Sequence, residues 1–160
     1  KNSEDKGQKA RTLTNLGAIQ MILAHYKESY AYTTSALQMF KEEKDSINML
    51  ICYKNLGYMY SSQHIYDSAY LYQDSALNIT LKDAHKESLY YLNTLSASYH
   101  SLSLTCYQLG KEDLYNDYCN KALYLSRETE NKFTEAQVLF NMRLGAQGDS
   151  SLLLAKQALI

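Results

Sequence analysis

Three cysteines and four histidines are the side chains of this 160-residue sequence best suited to metal binding or nucleophilic catalysis. A structural zinc site needs closely spaced Cys and His ligands, and neither a CxxC pair nor a matching Cys/His spacing occurs. The cysteines are therefore expected to be buried small apolar residues, and the histidines neutral surface residues. A disulfide between Cys106 and Cys119 stays possible, because both are expected on facing helices of one hairpin. The residues concerned are Cys52, Cys106, Cys119, His25, His64, His85 and His100.

Acidic pairs at Glu4-Asp5 and Glu42-Glu43 could serve general acid and base chemistry, but they lie in polar stretches. Paired catalytic carboxylates need a shaped apolar pocket, so solvated charge is the better interpretation of both pairs. The sequence contains no HExxH, GxSxG or P-loop motif. It therefore predicts a protein without catalytic activity, cofactor or bound metal ion.

Composition favours an all-helical fold, because the sequence has no Pro and only 6 Gly. The 16 basic and 17 acidic residues are spread along the chain, which argues against nucleic-acid binding through this segment. The apolar runs are too short to span a bilayer. Residues 1–10 lack the apolar core of a signal peptide, and both a cytoplasmic and a periplasmic location stay open.

An internal repeat appears when the chain is shifted by 40 residues against itself. The shift aligns Asn15-Leu16-Gly17 with Asn55-Leu56-Gly57, and Ser35-Ala36-Leu37 with Ser75-Ala76-Leu77. Two further units end in Ala122-Leu123 and Ala158-Leu159. The sequence therefore predicts a single domain of four repeats, at about 9–42, 46–81, 87–128 and 132–160.

Within each repeat, apolar residues recur at the spacing of an amphipathic helix. In the first unit they include Leu13, Leu16 and Leu23, and in the fourth Phe133 and Leu139, which are expected to share one apolar face. Gly17 and Gly57 would let the two helices of a hairpin approach closely. Eight helices are predicted, at about 9–24, 27–42, 46–62, 66–81, 87–108, 112–128, 132–146 and 150–160.

These residues carry a family resemblance. The pattern Leu56-Gly57-x-x-Tyr60, followed by Ala69 and Ala76-Leu77, resembles the signature of the tetratricopeptide repeat (TPR). The 40-residue spacing is similar to that of the long-repeat TPR modules in bacterial regulatory and sensor proteins. The resemblance implies an α-α superhelix of about four antiparallel helical hairpins, whose function is to bind proteins or peptides.

In TPR proteins the first helix of each hairpin lines a concave groove. Counting from the glycine positions, the resemblance also places Thr14 and Ala18 at this groove. A clamp for chaperone tails would need Lys, Arg and Asn at matching places, and Asn55 alone fits. The groove residues that the resemblance predicts are Lys54, Asn55, Tyr58, His100, Tyr107, Phe140 and Arg143.

Two other functions stay open at this point. The segment could be the ligand-sensing part of a larger bacterial transcriptional or signalling regulator, since the sequence stops in mid-pattern. It could also be a self-assembly module that forms a homodimer through the apolar end at 152–160. The chain is also expected to be a fragment of a longer protein.

Overall fold

A computed structural model describes residues 2–82 and 87–157 of the chain. Over these residues the protein forms seven α-helices and no β-strand, so the predicted all-α fold is confirmed. Adjacent helices pack in hairpin pairs, as expected of an all-α superhelical fold. The helices are α1 (Asn2–Ile22), α2 (Tyr26–Glu43), α3 (Ser46–Ser62), α4 (Tyr66–Leu81), α5 (Leu89–Gln108), α6 (Glu112–Glu128) and α7 (Lys132–Gln157).

The C-terminal part differs from the prediction. The sequence predicted two helices separated by a break after residue 146, whereas α7 runs without interruption to Gln157. Gly145 and Gly148 flank the predicted break, and both lie within the helix. A glycine inside a helix costs only about 1 kcal/mol relative to Ala, and without a Pro nothing else ends the helix there.

The chain divides into two compact units, Lys1–Asp83 and Ala84–Ile160. In the first unit α1 pairs with α2, α3 pairs with α4, and both helices of the first hairpin contact α3. In the second unit α5 pairs with α6, and α7 packs against both. The prediction of a single domain of four repeats stays a prediction. The core of the first unit comprises Ala10, Ala36, Leu37, Phe40, Cys52, Leu56 and Met59.

Two glycines allow the hairpins of the first unit to close, as predicted. A Cβ atom at Gly17 would meet Thr33 Oγ1 inside van der Waals distance, and one at Gly57 would lie 2.8 Å from Gln73 Cγ. Ser29 Oγ donates a hydrogen bond of 2.8 Å to the Gly17 carbonyl. The second helix of each hairpin therefore approaches the backbone of the first helix directly.

The apolar face predicted for the first and last helices is only partly buried. Leu16 and Ile19 of α1 are exposed, as is Leu23 directly after it, and on α7 Phe133 and Leu139 are exposed. Among the described elements, α1 packs against α2 and α3, and α7 packs against α5 and α6. Neighbours on one side cover only part of a wide apolar face, which explains the difference from the prediction.

Each short connection in the described residues turns through one left-handed residue. The five residues with positive φ are Ala24, Lys44, His64, Gly110 and Glu130. Glycine adopts this conformation without strain, whereas other L-residues pay roughly 1–2 kcal/mol for it. Four of the five connections therefore retain local strain.

Replacing Ala24 with Gly should raise the free energy of unfolding by about 1 kcal/mol, because Ala24 has a φ of 59°. Urea unfolding followed by circular dichroism measures the change. The control is Ala31→Gly, an exposed position inside α2, where the same substitution should lower stability by about 1 kcal/mol. Equal effects at the two positions would contradict the assignment of strain to the connection.

Replacing Ala76 with Leu should lower the free energy of unfolding by about 1–3 kcal/mol, because the added methyl groups overpack a closed interface. Ala76 is almost completely buried in α4. The same unfolding experiment applies, with Ala31→Leu as the matched exposed control. If Ala76→Leu were as stable as the wild type, the helices around Ala76 could move apart without a loss of stability.

Candidate interaction surface

Helix α3 presents one side to the core and the opposite side to solvent. Leu50, Cys52, Leu56, Gly57 and Met59 form its buried side. Its outer side carries a line of exposed residues separated by four, three and four positions, so that they follow one another along the helix. We call this line the α3 stripe, which consists of Ile47, Ile51, Lys54 and Tyr58.

The α3 stripe contains two of the predicted groove residues. Tyr58 is 63% exposed and Lys54 is also exposed, whereas the neighbouring Asn55 is half-buried. Ile47 and Ile51, at 66% and 41% exposure, were missed by the sequence analysis. The spacing of the stripe itself could have identified them, because they precede Lys54 by seven and three positions.

Lys54 is the one charged residue of α3. Among the described residues its ammonium group has no ion-pair partner within 4.0 Å. Desolvation by the surrounding protein lowers the pKa of Lys54 from its ordinary value. The side chain still reaches solvent, so protein atoms remove part of its hydration while the charge remains accessible.

The α1 residues that the resemblance placed at the groove are less exposed than the α3 stripe. Thr14 is buried, where its Oγ1 donates to the Ala10 carbonyl at 3.0 Å and lies 3.6 Å from Cys52 Sγ. Ala18 is half-buried. The exposed side chains at this face of the first unit are therefore those of the α3 stripe rather than of Thr14 and Ala18.

In the second unit, a hydrogen bond joins α5 to α7 near the remaining predicted residues. Asn141 Nδ2 lies 2.7 Å from His100 Nε2, so the amide donates to a neutral imidazole. Tyr115 Oη of α6 donates to the Asn141 carbonyl at 2.9 Å. These bonds hold α7 beside α5 and fix the position of Asn141.

The other three residues that were predicted for the groove of the second unit are exposed on the same two helices, α5 and α7. Tyr107 of α5 is 40% exposed and its ring centroid lies 5.4 Å from that of Tyr115. Phe140 and Arg143 of α7 are exposed on either side of Asn141. The structure thus brings His100, Tyr107, Phe140 and Arg143 onto neighbouring helices, and it places Lys54, Asn55 and Tyr58 together on α3.

Other tyrosines pack against one another. The rings of Tyr60 and Tyr72 are stacked with centroids 5.4 Å apart, while Tyr30 meets Tyr60 edge-on and Tyr53 is tilted against Tyr72. Burial, together with the neighbouring Tyr30, raises the pKa of Tyr72 to about 12. The phenols of Tyr60 and Tyr72 therefore stay protonated and serve as packing groups.

The residues suited to chemistry are dispersed. All three cysteines are buried free thiols, and burial raises the pKa of each. His25 Nδ1 contacts Gln20 Oε1 and His64 Nδ1 contacts Tyr66 Oη, whereas His85 lies outside the described residues. Within residues 2–82 and 87–157 no group of three or more His, Cys, Asp or Glu could hold a metal ion.

Comparisons with known proteins add no assignment. No family model matches the sequence, and no match is found among curated proteins. No helix in the described part of the chain is long and apolar enough to cross a membrane. The side chains of the apolar run at 152–160, which the sequence analysis considered for self-assembly, lie outside the described residues.

Burial of His100, which is hydrogen-bonded to Asn141, should make the free energy of unfolding depend on pH. Desolvation lowers the pKa of His100 below its ordinary value of 6.5, so the unfolded chain binds this proton more readily than the folded chain. Stability from this group is present above pH 6.5 and is lost as pH falls through the lower, folded-state pKa. Urea unfolding between pH 5 and 8 should therefore show a loss of stability on acidification.

The variant His100→Gln should show a smaller loss over the same pH range. The control is His25→Gln, which removes an exposed histidine and so shows the effect of losing one titratable group. An NMR titration of the His100 ring should give a midpoint below 6.5. A midpoint above 6.5 would mean that the charged imidazole, rather than the neutral one, is favoured in the fold.

Proposed function

We propose that this chain is a TPR-like scaffold that binds a protein or peptide partner without a catalytic step. The candidate surfaces are the exposed side of α3 in the first unit and the exposed sides of α5 and α7 in the second unit. The observation that carries the proposal is that the aromatic residues predicted for the groove are all exposed. Tyr58, Tyr107 and Phe140 are all exposed, although large aromatic side chains are usually buried. The 40-residue repeat supports the resemblance to TPR proteins.

Rigidity of the supporting helices favours recognition by these side chains. The opposite side of α3 is buried against its neighbours, and Asn141 ties α7 to α5. A side chain on a packed helix loses little entropy when a partner covers it, and tyrosine combines a large apolar area with a hydroxyl. Such residues are the ones that contribute most to binding energy at protein interfaces.

A single mutation tests the contribution of the α3 stripe. Tyr58→Ala should reduce retention of a partner from a native cell extract at least about fivefold, and more when combined with Tyr107→Ala, because exposed aromatic anchors contribute more than about 1 kcal/mol each. Immobilised protein and quantitative mass spectrometry give the measurement. Circular dichroism first establishes that the variants keep the helicity of the wild type.

The matched control removes exposed side chains from the second helices of the hairpins. Tyr124→Ala in α6 combined with Leu71→Ala in α4 removes side chains that are 63% and 67% exposed, and should leave retention unchanged. If the control loses the partner while the tyrosine variants keep it, binding occurs on the second helices. If the wild type and all variants retain nothing above background, the scaffold function is wrong.

A further inference from the structure

Acidic residues are distributed unevenly among the helices, and α1 and α7 contain two each. The first helices α3 and α5 contain no Asp or Glu, whereas the second helices α2, α4 and α6 contain three, two and four. The net charge of −1 conceals this separation. A partner that meets the exposed side of α3 therefore meets no carboxylate on that helix.

Three cations of the second unit, Lys121, Arg127 and Lys132, have carboxylate partners within 4.0 Å. Lys121 Nζ lies 2.7 Å from Asp117 Oδ2, and Arg127 Nε lies 2.8 Å from Glu135 Oε1. Lys54 differs from them, because it is exposed and lacks an ion pair with any described residue. Its lowered pKa has the same origin, namely lost hydration that no carboxylate replaces.

The apolar residues beside Lys54 define what else the partner must contain. Ile51 lies one turn before Lys54, and Tyr58 one turn after it, with Ile47 a further turn away. The stripe extends for about 16 Å, given a rise of 1.5 Å per residue. An extended peptide covers that length with about five residues. One cation between apolar side chains suits one carboxylate between apolar side chains.

We propose that the α3 stripe binds a short acidic peptide, in which an Asp or Glu contacts Lys54 and apolar residues on either side contact Tyr58 and Ile51. The inference rests on the proposed function and specifies the chemistry of its partner. A membrane surface is a poorer match, since attachment to anionic lipid needs a cluster of several Lys or Arg, and α3 carries one. A nucleic acid is a poorer match for the same reason.

The test uses a random library of 12-residue peptides displayed on phage and selected on the immobilised chain. Peptides selected by the wild type should be enriched in Asp and Glu beside apolar residues. Lys54→Glu should instead select peptides enriched in Lys and Arg. Lys27→Glu makes the same charge change at an exposed position of α2 and should select the same peptides as the wild type.

The affinity of a synthetic copy of the most enriched peptide shows how much its carboxylate contributes to binding. The acidic peptide should bind the wild type about three- to fivefold more tightly than its Asn or Gln analogue, the factor expected of one partly exposed ion pair. Fluorescence anisotropy measures both affinities. The preference should disappear in Lys54→Glu and at high salt, because screening weakens exposed charge pairs.

The remaining outcomes separate this inference from the proposed function. Selected peptides without a charge bias, whose binding is lost in Tyr58→Ala, would overturn the acidic partner and leave the scaffold function intact. A charge bias that persists in Lys54→Glu would place recognition elsewhere and overturn the inference. No enrichment on a chain of wild-type helicity would overturn both. Binding of the wild type to anionic lipid vesicles but not to peptides would replace the peptide with a membrane surface.

Discussion

The helices of the first hairpin approach so closely at Gly17 that Ser29 donates a hydrogen bond to the glycine carbonyl itself. Gly57 permits the same approach in the second hairpin, where the backbone nitrogen of Gln73 would lie 3.3 Å from an added Cβ. A side chain at either glycine would push the second helix away and open the core beneath it. The position and rotation of α3, and with them the direction of its exposed stripe, depend on this contact.

Close approach also explains the hydroxyl-rich interior. Ser and Thr are small enough for these interfaces, and their polar groups need partners when buried. Thr14 and Thr80 donate to the carbonyls four residues earlier in their own helices, while Ser96 donates across the hairpin to Ala122. No buried side-chain polar atom among the described residues lacks a hydrogen-bond partner. Small hydroxyl residues thus occupy buried positions beside the large apolar residues of the core, such as Phe40, Leu56 and Leu102.

The repeat accounts for what the sequence predicted well. The bounds of α3, α4 and α6 agree with the prediction, because a 40-residue repeat and helical periodicity constrain them together. Periodicity identifies an apolar face but contains no information on which neighbour covers it, so the exposure of Leu16 and Phe133 could not be predicted. Tyr58 was identified from its place beside Gly57. The absence of a described ion-pair partner for Lys54 depends on tertiary packing, which a single sequence does not reveal.

Separation of charge between the helices affects recognition more than stability. The exposed pair of Lys121 and Asp117 is formed within one helix, and such pairs contribute a few tenths of a kcal/mol to folding. Lys54 makes no pair among the described residues, and its charge is only partly hydrated. In a complex the adjoining Ile51 and Tyr58 would supply most of the buried area, whereas Lys54 would determine the register of the peptide. A shift of one residue would leave the partner's carboxylate against an apolar side chain, which is the costly arrangement that gives charged groups their part in specificity.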